Sequence, residues 1–139
     1  MHSSFYKPAA NYSIYSIGAG GIVKDAHLPA YKLAGYTVKG IYDIDKSKAA
    51  QLASLFDIPC NYESIDQMVQ DANATSIFDI AVPASSIIEV LQKLPNGAAV
   101  LIQKPMGSDI AEAKEIINLV QSKKNACCSK FSVALCTVY

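Results

Sequence analysis

The chain has 139 residues, half of them apolar, and no formal net charge at pH 7, because twelve lysines balance twelve acidic side chains and arginine is missing altogether. That length supports one core burying roughly two-thirds of the unfolded surface. The charge balance and missing arginine argue against nucleic acid, which is gripped by clustered Arg and Lys. No apolar run approaches the roughly 20 residues that span a bilayer, and no basic segment leads into an apolar one at the N-terminus, so no membrane partner is expected and the chain reads as cytoplasmic.

Residues 1–11 are polar and mixed, with Pro8 breaking any regular element, and read as a lead-in. A first strand is expected from Tyr12 to Ile17, running into the turn Gly18-Ala19-Gly20-Gly21-Ile22-Val23. Glycine at 18 permits a positive φ, and glycine at 20 removes a Cβ that would block a pyrophosphate. A helix opening near Gly21 would turn its free N–H groups toward the phosphates. The same pattern also serves as a plain tight connection, and Val23 stands where the dinucleotide fingerprint has Gly or Ala. The helix is expected from Gly21 to Leu33, with Pro29 near its end or at a break, and His27 as a helix-end hydrogen-bonding residue.

Tyr36 to Tyr42 reads as a second strand that finishes at Asp43, about 20 residues beyond the glycine turn. A carboxylate there accepts ribose hydroxyls and repels a ribose phosphate, which favours NAD over NADP, with Lys46 or Lys48 softening the preference. The plainer role for Asp43, capping the helix Lys46 to Phe56, suits Asp45 better. A third strand is expected at Pro59 to Tyr62 and a short helix from Ser64, its cap, to Val69. Ser76 to Val82 is a fourth strand stopped by Pro83, and Ser85 to Leu94 a helix closed by the Asn96-Gly97 turn. The fifth strand, Ala98 to Gln103, is almost wholly apolar, as a strand covered on both faces should be, and ends in Gln103-Lys104-Pro105. A helix follows from Asp109 to Lys123, with Ile110, Ala113, Ile116, Ile117 and Val120 as its apolar stripe, and Ala126 to Leu135 reads as a sixth strand.

Strands alternating with helices, each crossover long enough for a parallel connection, define an α/β fold: one domain with a doubly wound parallel sheet in a three-layer α-β-α arrangement of Rossmann type. Ligands of such sheets lie beyond the carboxyl ends of the strands, where Gly18, Asp43, Pro83 and Lys104 all fall. The four cysteines, Cys60, Cys127, Cys128 and Cys136, lack zinc-ligand spacing and read as incidental or buried thiols; no metal is expected.

The Gly-Ala-Gly-Gly-Ile turn, the His-Leu-Pro-Ala after it, Tyr-Asp-Ile-Asp at the second strand, Val-Pro after the fourth and Gln-Lys-Pro after the fifth together resemble the glucose–fructose oxidoreductase/inositol dehydrogenase/rhizopine-catabolism (Gfo/Idh/MocA) family over residues 12–131. The resemblance implies an NAD-binding Rossmann domain of an oxidoreductase that transfers hydride from a sugar, polyol or related alcohol. It implies cofactor contacts at Gly18, Gly20, Gly21, Ile22, Asp43, Val82, Pro83, Gln103, Lys104 and Pro105, with Lys104 as the catalytic residue. Gln103 replaces the glutamate of the family's Glu-Lys-Pro, keeping a hydrogen-bonding group but losing a charge, and Ile87 replaces a frequent histidine and reads as helix core. Without the family, Lys104 would be an ordinary surface lysine.

Family members continue into a second α/β domain that closes the substrate pocket and carries an acid–base pair. The expectation is that this C-terminal substrate domain is absent, that residues 132–139 are an atypical tail, and that the apolar surface left uncovered drives homo-oligomerisation. Codons AAA TTT TCA GTT GCG CTT TGC ACC GTA TAT for Lys130 to Tyr139 become, once one A is removed, codons for Asn, Phe, Gln, Leu, Arg, Phe, Ala, Pro and Tyr, a run typical of the family. The hypothesis is a single-base insertion near Lys130, and coding DNA without an extra base relative to an intact downstream frame would end it. The alternatives to a catalytic domain are a stand-alone dinucleotide-binding module and an inactive remnant.

Overall fold

The computed structural model describes residues 11–129. Residues 1–10 of the lead-in, the tail and the sixth strand's continuation past residue 129 lie outside them. Six strands, β1 (Ser13–Ile17), β2 (Thr37–Tyr42), β3 (Cys60–Asn61), β4 (Ser76–Ile80), β5 (Ala99–Ile102) and β6 (Ala126–Ser129), form one sheet in the order β3-β2-β1-β4-β5-β6, every pairing parallel. The order reverses between β1 and β4, the switch point at which doubly wound sheets open a crevice.

The helices are α1 (Leu28–Ala34), α2 (Lys46–Leu55), α3 (Ile65–Asp71), α4 (Ile87–Lys93) and α5 (Ile110–Ser122). The caps expected at Asp45 and Ser64 are in place: Asp45 accepts the N–H groups of Ser47 and Lys48, and Ser64 accepts that of Gln67. Asp109, expected as the first residue of its helix, caps it instead by accepting the Glu112 N–H. Glu112 in turn accepts the Ser108 N–H, reciprocating at the start of α5.

The two faces of the sheet are packed differently. On one, α3, α4 and α5 bury Met68, Ile87, Leu91 and Ile116 against Phe78, Ile80, Val100 and Ile102. On the other, Val23, Leu28, Ala49, Leu52 and Ile58 cover Ile41. Right-handed crossovers dictate this division: β1→β2→β3 runs one way and β4→β5→β6 the other, so their helices land on opposite faces.

Three expectations need correction. The first helix contains a π-helical turn, Val23–His27, ahead of α1. Pro29, the second residue of α1, donates no N–H, and the wider turn before it takes up the mismatch. His27 therefore sits mid-helix, with its hydrogen-bonding role kept but its helix-end position lost. The second correction is to β5, which alternates buried Val100 and Ile102 with half-buried Ala99 and Leu101 because no helix among the described residues covers its second face. The third concerns α5, whose buried seam is Ile116 and Val120; Ile110, at its first turn, is 75% exposed and Ile117 is 42% exposed.

Candidate functional site

The glycine turn is shaped by contacts that only glycine permits. Gly18 has φ +115°, and a Cβ there would lie 2.3 Å from the Ala81 carbonyl oxygen. Its N–H donates to the Tyr42 carbonyl at 2.7 Å, joining the turn to the end of β2. Gly20 differs: nothing lies within 4 Å of an ideal Cβ, so its missing side chain leaves open space beside the turn. Val23 is fully buried with Ala19, Leu28 and Ile41, so its extra bulk is absorbed by the packing at the first π-helical residue.

Asp43 follows β2 directly. Its Oδ2 accepts the Ala19 N–H at 2.7 Å and its Oδ1 accepts the Asp45 N–H at 2.7 Å. Two lone-pair positions remain on a carboxylate that offers about four. On the other side of the switch point, Ala81 donates its N–H to Ile17 and leads into Val82 and Pro83.

These strand ends border a cleft of about 360 Å³, lined by Gly18, Gly20, Asp43, Val82 and Pro83 among others. It brings together half of the sequence-predicted contacts. Gly21 and Ile22 lie exposed just beyond Gly20, outside the lining. Gln103, Lys104 and Pro105 follow β5 at the same end of the sheet, also outside it; the Gln103 N–H donates to the Ile80 carbonyl and Lys104 is exposed. The cleft adds residues that the sequence reading left out, including Ile44, Ser86, Glu89 and Lys93. Ile44 was findable as the neighbour of Asp43, whereas Glu89 and Lys93 reach the cleft from α4 and depend on how that helix packs. Lys48 also lines the cleft, near Asp45 at 3.9 Å, while Lys46 is turned away onto the Glu63 carbonyl and the Tyr42 ring.

An open groove at the switch point, with a glycine turn on one wall and a strand-end carboxylate beside it, suits an extended ligand whose phosphates approach main-chain N–H groups. The fold and the cleft define a doubly wound domain of the NAD-binding class. The chain belongs to the Gfo/Idh/MocA family: the family model described as an oxidoreductase family, NAD-binding Rossmann fold, matches residues 13–131. An uncharacterised protein of Saccharomyces cerevisiae is 30% identical over an alignment that covers 76% of this chain and 32% of that one. A trans-1,2-dihydrobenzene-1,2-diol dehydrogenase of Macaca fuscata fuscata is 28% identical over 83% of this chain and 34% of its own length. Among solved structures, an Agrobacterium radiobacter oxidoreductase in complex with NAD+, L-tartaric acid and magnesium superposes with a TM-score of 0.74 at 18% identity, over 87% of this chain and 35% of that one. A 3-ketoreductase of Actinomadura kijaniata in complex with NADP and TDP-benzene gives 0.70 at 19% identity, over 88% and 38%. The chain thus spans about a third of the length of the curated relatives it matches.

Proposed function

We propose that this chain is the cofactor domain of an oxidoreductase that takes hydride from a sugar, polyol or related alcohol, with NAD preferred over NADP. The observation that carries this reading is the placement of the Asp43 carboxylate against the Ala19 N–H, at the mouth of the cleft beside Gly20. In this reading the Asp43 lone pairs not committed to Ala19 and Asp45 accept the ribose hydroxyls, and the open space at Gly20 admits the pyrophosphate. Val82 and Pro83 form the wall toward the nicotinamide, and Gly21, Ile22, Gln103 and Pro105 complete the contacts.

When bound, the cofactor supplies the hydride acceptor. Lys104, at the end of β5, supplies a cation that holds the alcohol oxygen and favours loss of its proton. A 2′-phosphate would meet the Asp43 carboxylate, which supports NAD; Lys48 and Lys93 are the cations in the lining that would offset that repulsion. The dihydrodiol dehydrogenase relative, named for a vicinal diol substrate, supports an alcohol as the hydride donor.

Thermal unfolding with added NADH tests the cofactor reading. A ligand at 100 times its dissociation constant stabilises by about 2.7 kcal/mol, and a melting temperature unmoved by both NADH and NADPH would refute it. A second reading, a dinucleotide-binding module without turnover, is favoured by the cleft's lining, which holds half of the proposed cofactor contacts and not Lys104. NADH formation from NAD+ across a panel of sugars, polyols and diols would exclude that second reading.

A further inference from the structure

Beneath the glycine turn, on the face of the sheet covered by the π-helical turn and α1, lies a buried polar seam. Ser16 on β1 and Asp79 on β4 are register partners, and both are fully buried. The Ser16 hydroxyl donates to the Gly18 carbonyl at 3.1 Å. Asp79 Oδ2 accepts the Tyr31 hydroxyl at 2.7 Å and lies 3.0 Å from His27 Nδ1. His27 and Tyr31, four residues apart, therefore bring successive turns of one helical run onto a single carboxylate. Burial, and then the neighbouring Asp79 charge, push the Tyr31 phenol well above its ordinary range, so it stays a donor.

A seam of this kind is costly where apolar side chains would close the core. A carboxylate removed from water loses its hydration, and its partners only partly compensate. The directional bonds provide placement in return. They join the helix that opens at Gly21, directly after Gly20, to Asp79 near the end of β4, three residues before Val82 and Pro83. The two walls of the cleft are thereby fixed to each other from below.

We infer that Asp79, with His27, Tyr31 and Ser16, forms a positioning network that sets the distance between the glycine turn and the Val82-Pro83 wall, and so the affinity for the pyrophosphate of a dinucleotide. The inference rests on the cofactor reading above and goes beyond it, because none of the four side chains borders the cleft. Asp79 is a positioning residue in this account, acting through the helix and not on the ligand.

The test compares NADH with AMP, which occupies the adenosine end without bridging the two walls. Titrations of the full chain with each ligand are made for Tyr31→Phe, Asp79→Asn and Asp79→Val. The amide oxygen of Asn can take the place of Oδ2, which faces both Tyr31 and His27, so Asp79→Asn should stay within about twofold of the parent. Tyr31→Phe and Asp79→Val should weaken NADH by about five- to tenfold and AMP by less than twofold. Ile116→Val, in the core of the opposite face, supplies a destabilised control that leaves both affinities alone. In the ligand-free protein, the amide resonances of Gly18, Ala19 and Gly20 should move in Tyr31→Phe and stay put in Ile116→Val. Parallel losses for NADH and AMP, or unchanged affinities in folded Tyr31→Phe, would overturn the inference alone. Failure of the parent chain to bind either NADH or NADPH would overturn the cofactor reading and this inference with it.

Discussion

The carboxylate of Asp43 accepts the main-chain N–H of Ala19 at 2.7 Å, across twenty-four positions of sequence. The bond joins the end of β2 to the glycine turn after β1. Together with the Gly18 N–H on the Tyr42 carbonyl, it fixes the turn against the neighbouring strand end from two directions.

Replacing Asp43 with Ala should therefore do two things. Stability should fall by about 1 to 2 kcal/mol, since the Ala19 and Asp45 N–H groups both lose their acceptor. NADH affinity should fall about tenfold or more, because a hydrogen bond to a charged acceptor contributes at least that factor. NADPH affinity should fall less, as the repulsion of a 2′-phosphate is removed. Urea unfolding and paired fluorescence titrations check these outcomes; an unchanged NADH-to-NADPH ratio would count against Asp43 as the discriminating group.

Gly18→Ala should cost about 2 kcal/mol or more, combining an unfavourable φ with a Cβ placed against the Ala81 carbonyl. Gly20→Ala should be nearly neutral for stability, since its Cβ would enter open space, yet should weaken dinucleotide binding. Denaturation and binding measured on the same two proteins separate the roles. Equal destabilisation by both changes would contradict the geometry.

Lys123 closes the C-terminal end of α4, its Nζ donating to the carbonyls of Leu91, Gln92 and Leu94 at 2.7, 2.9 and 2.6 Å. Lys123→Met keeps the aliphatic stem and removes the donors. It should destabilise by about 1 kcal/mol, discounted because part of the side chain meets water. Amide exchange should accelerate in the last turn of α4 and not in α2. A urea midpoint identical to the parent's would refute the capping role.

Alkaline pH should unfold the protein. Burial, and then the charge of Asp79 for Tyr31 and the hydrogen bond to Asp71 for Tyr62, raise these phenols above 10.0, their ordinary value. An acid whose folded pKa is raised keeps its full contribution below the unfolded value and loses it as pH climbs past that value. Stability should thus decline from about pH 10 upward. Lys123, held below its usual value by burial, acts in the opposite sense but as one group against three, since burial also raises the Tyr15 phenol. Tyr31→Phe should make the decline shallower, as followed by thermal melts between pH 8 and 11; an unaltered slope would argue against retention of the Tyr31 proton.

Much of the cleft was legible because its parts are local. A glycine turn after an apolar strand and a carboxylate ending the next strand are patterns of adjacent residues, and the caps at Asp45 and Ser64 are equally short-range. The π-helical turn was less legible. Pro29 signalled an irregularity but not where the ladder widens, and the contacts of His27 and Tyr31 with Asp79 reach a residue on a strand about fifty positions away. Ile110 was misassigned to the buried stripe because helical spacing alone does not say how far the neighbouring layer extends.

The sequence by itself determined the alternation of strands and helices, the positions of the caps and the family, since each follows from the order of side chains along the backbone. Only the tertiary structure decided which side chains share a space. Gly40 had no assigned purpose until folding set its missing Cβ against the Tyr62 ring, and Asp79 was one residue of an apolar strand until β4 paired with β1 beneath the first helix. The physical reason is separation along the chain. Propensity and periodicity act over one or two turns, whereas the Ala19 to Asp43 and Tyr31 to Asp79 bonds close loops of twenty-four and forty-eight residues that exist only once the sheet has assembled.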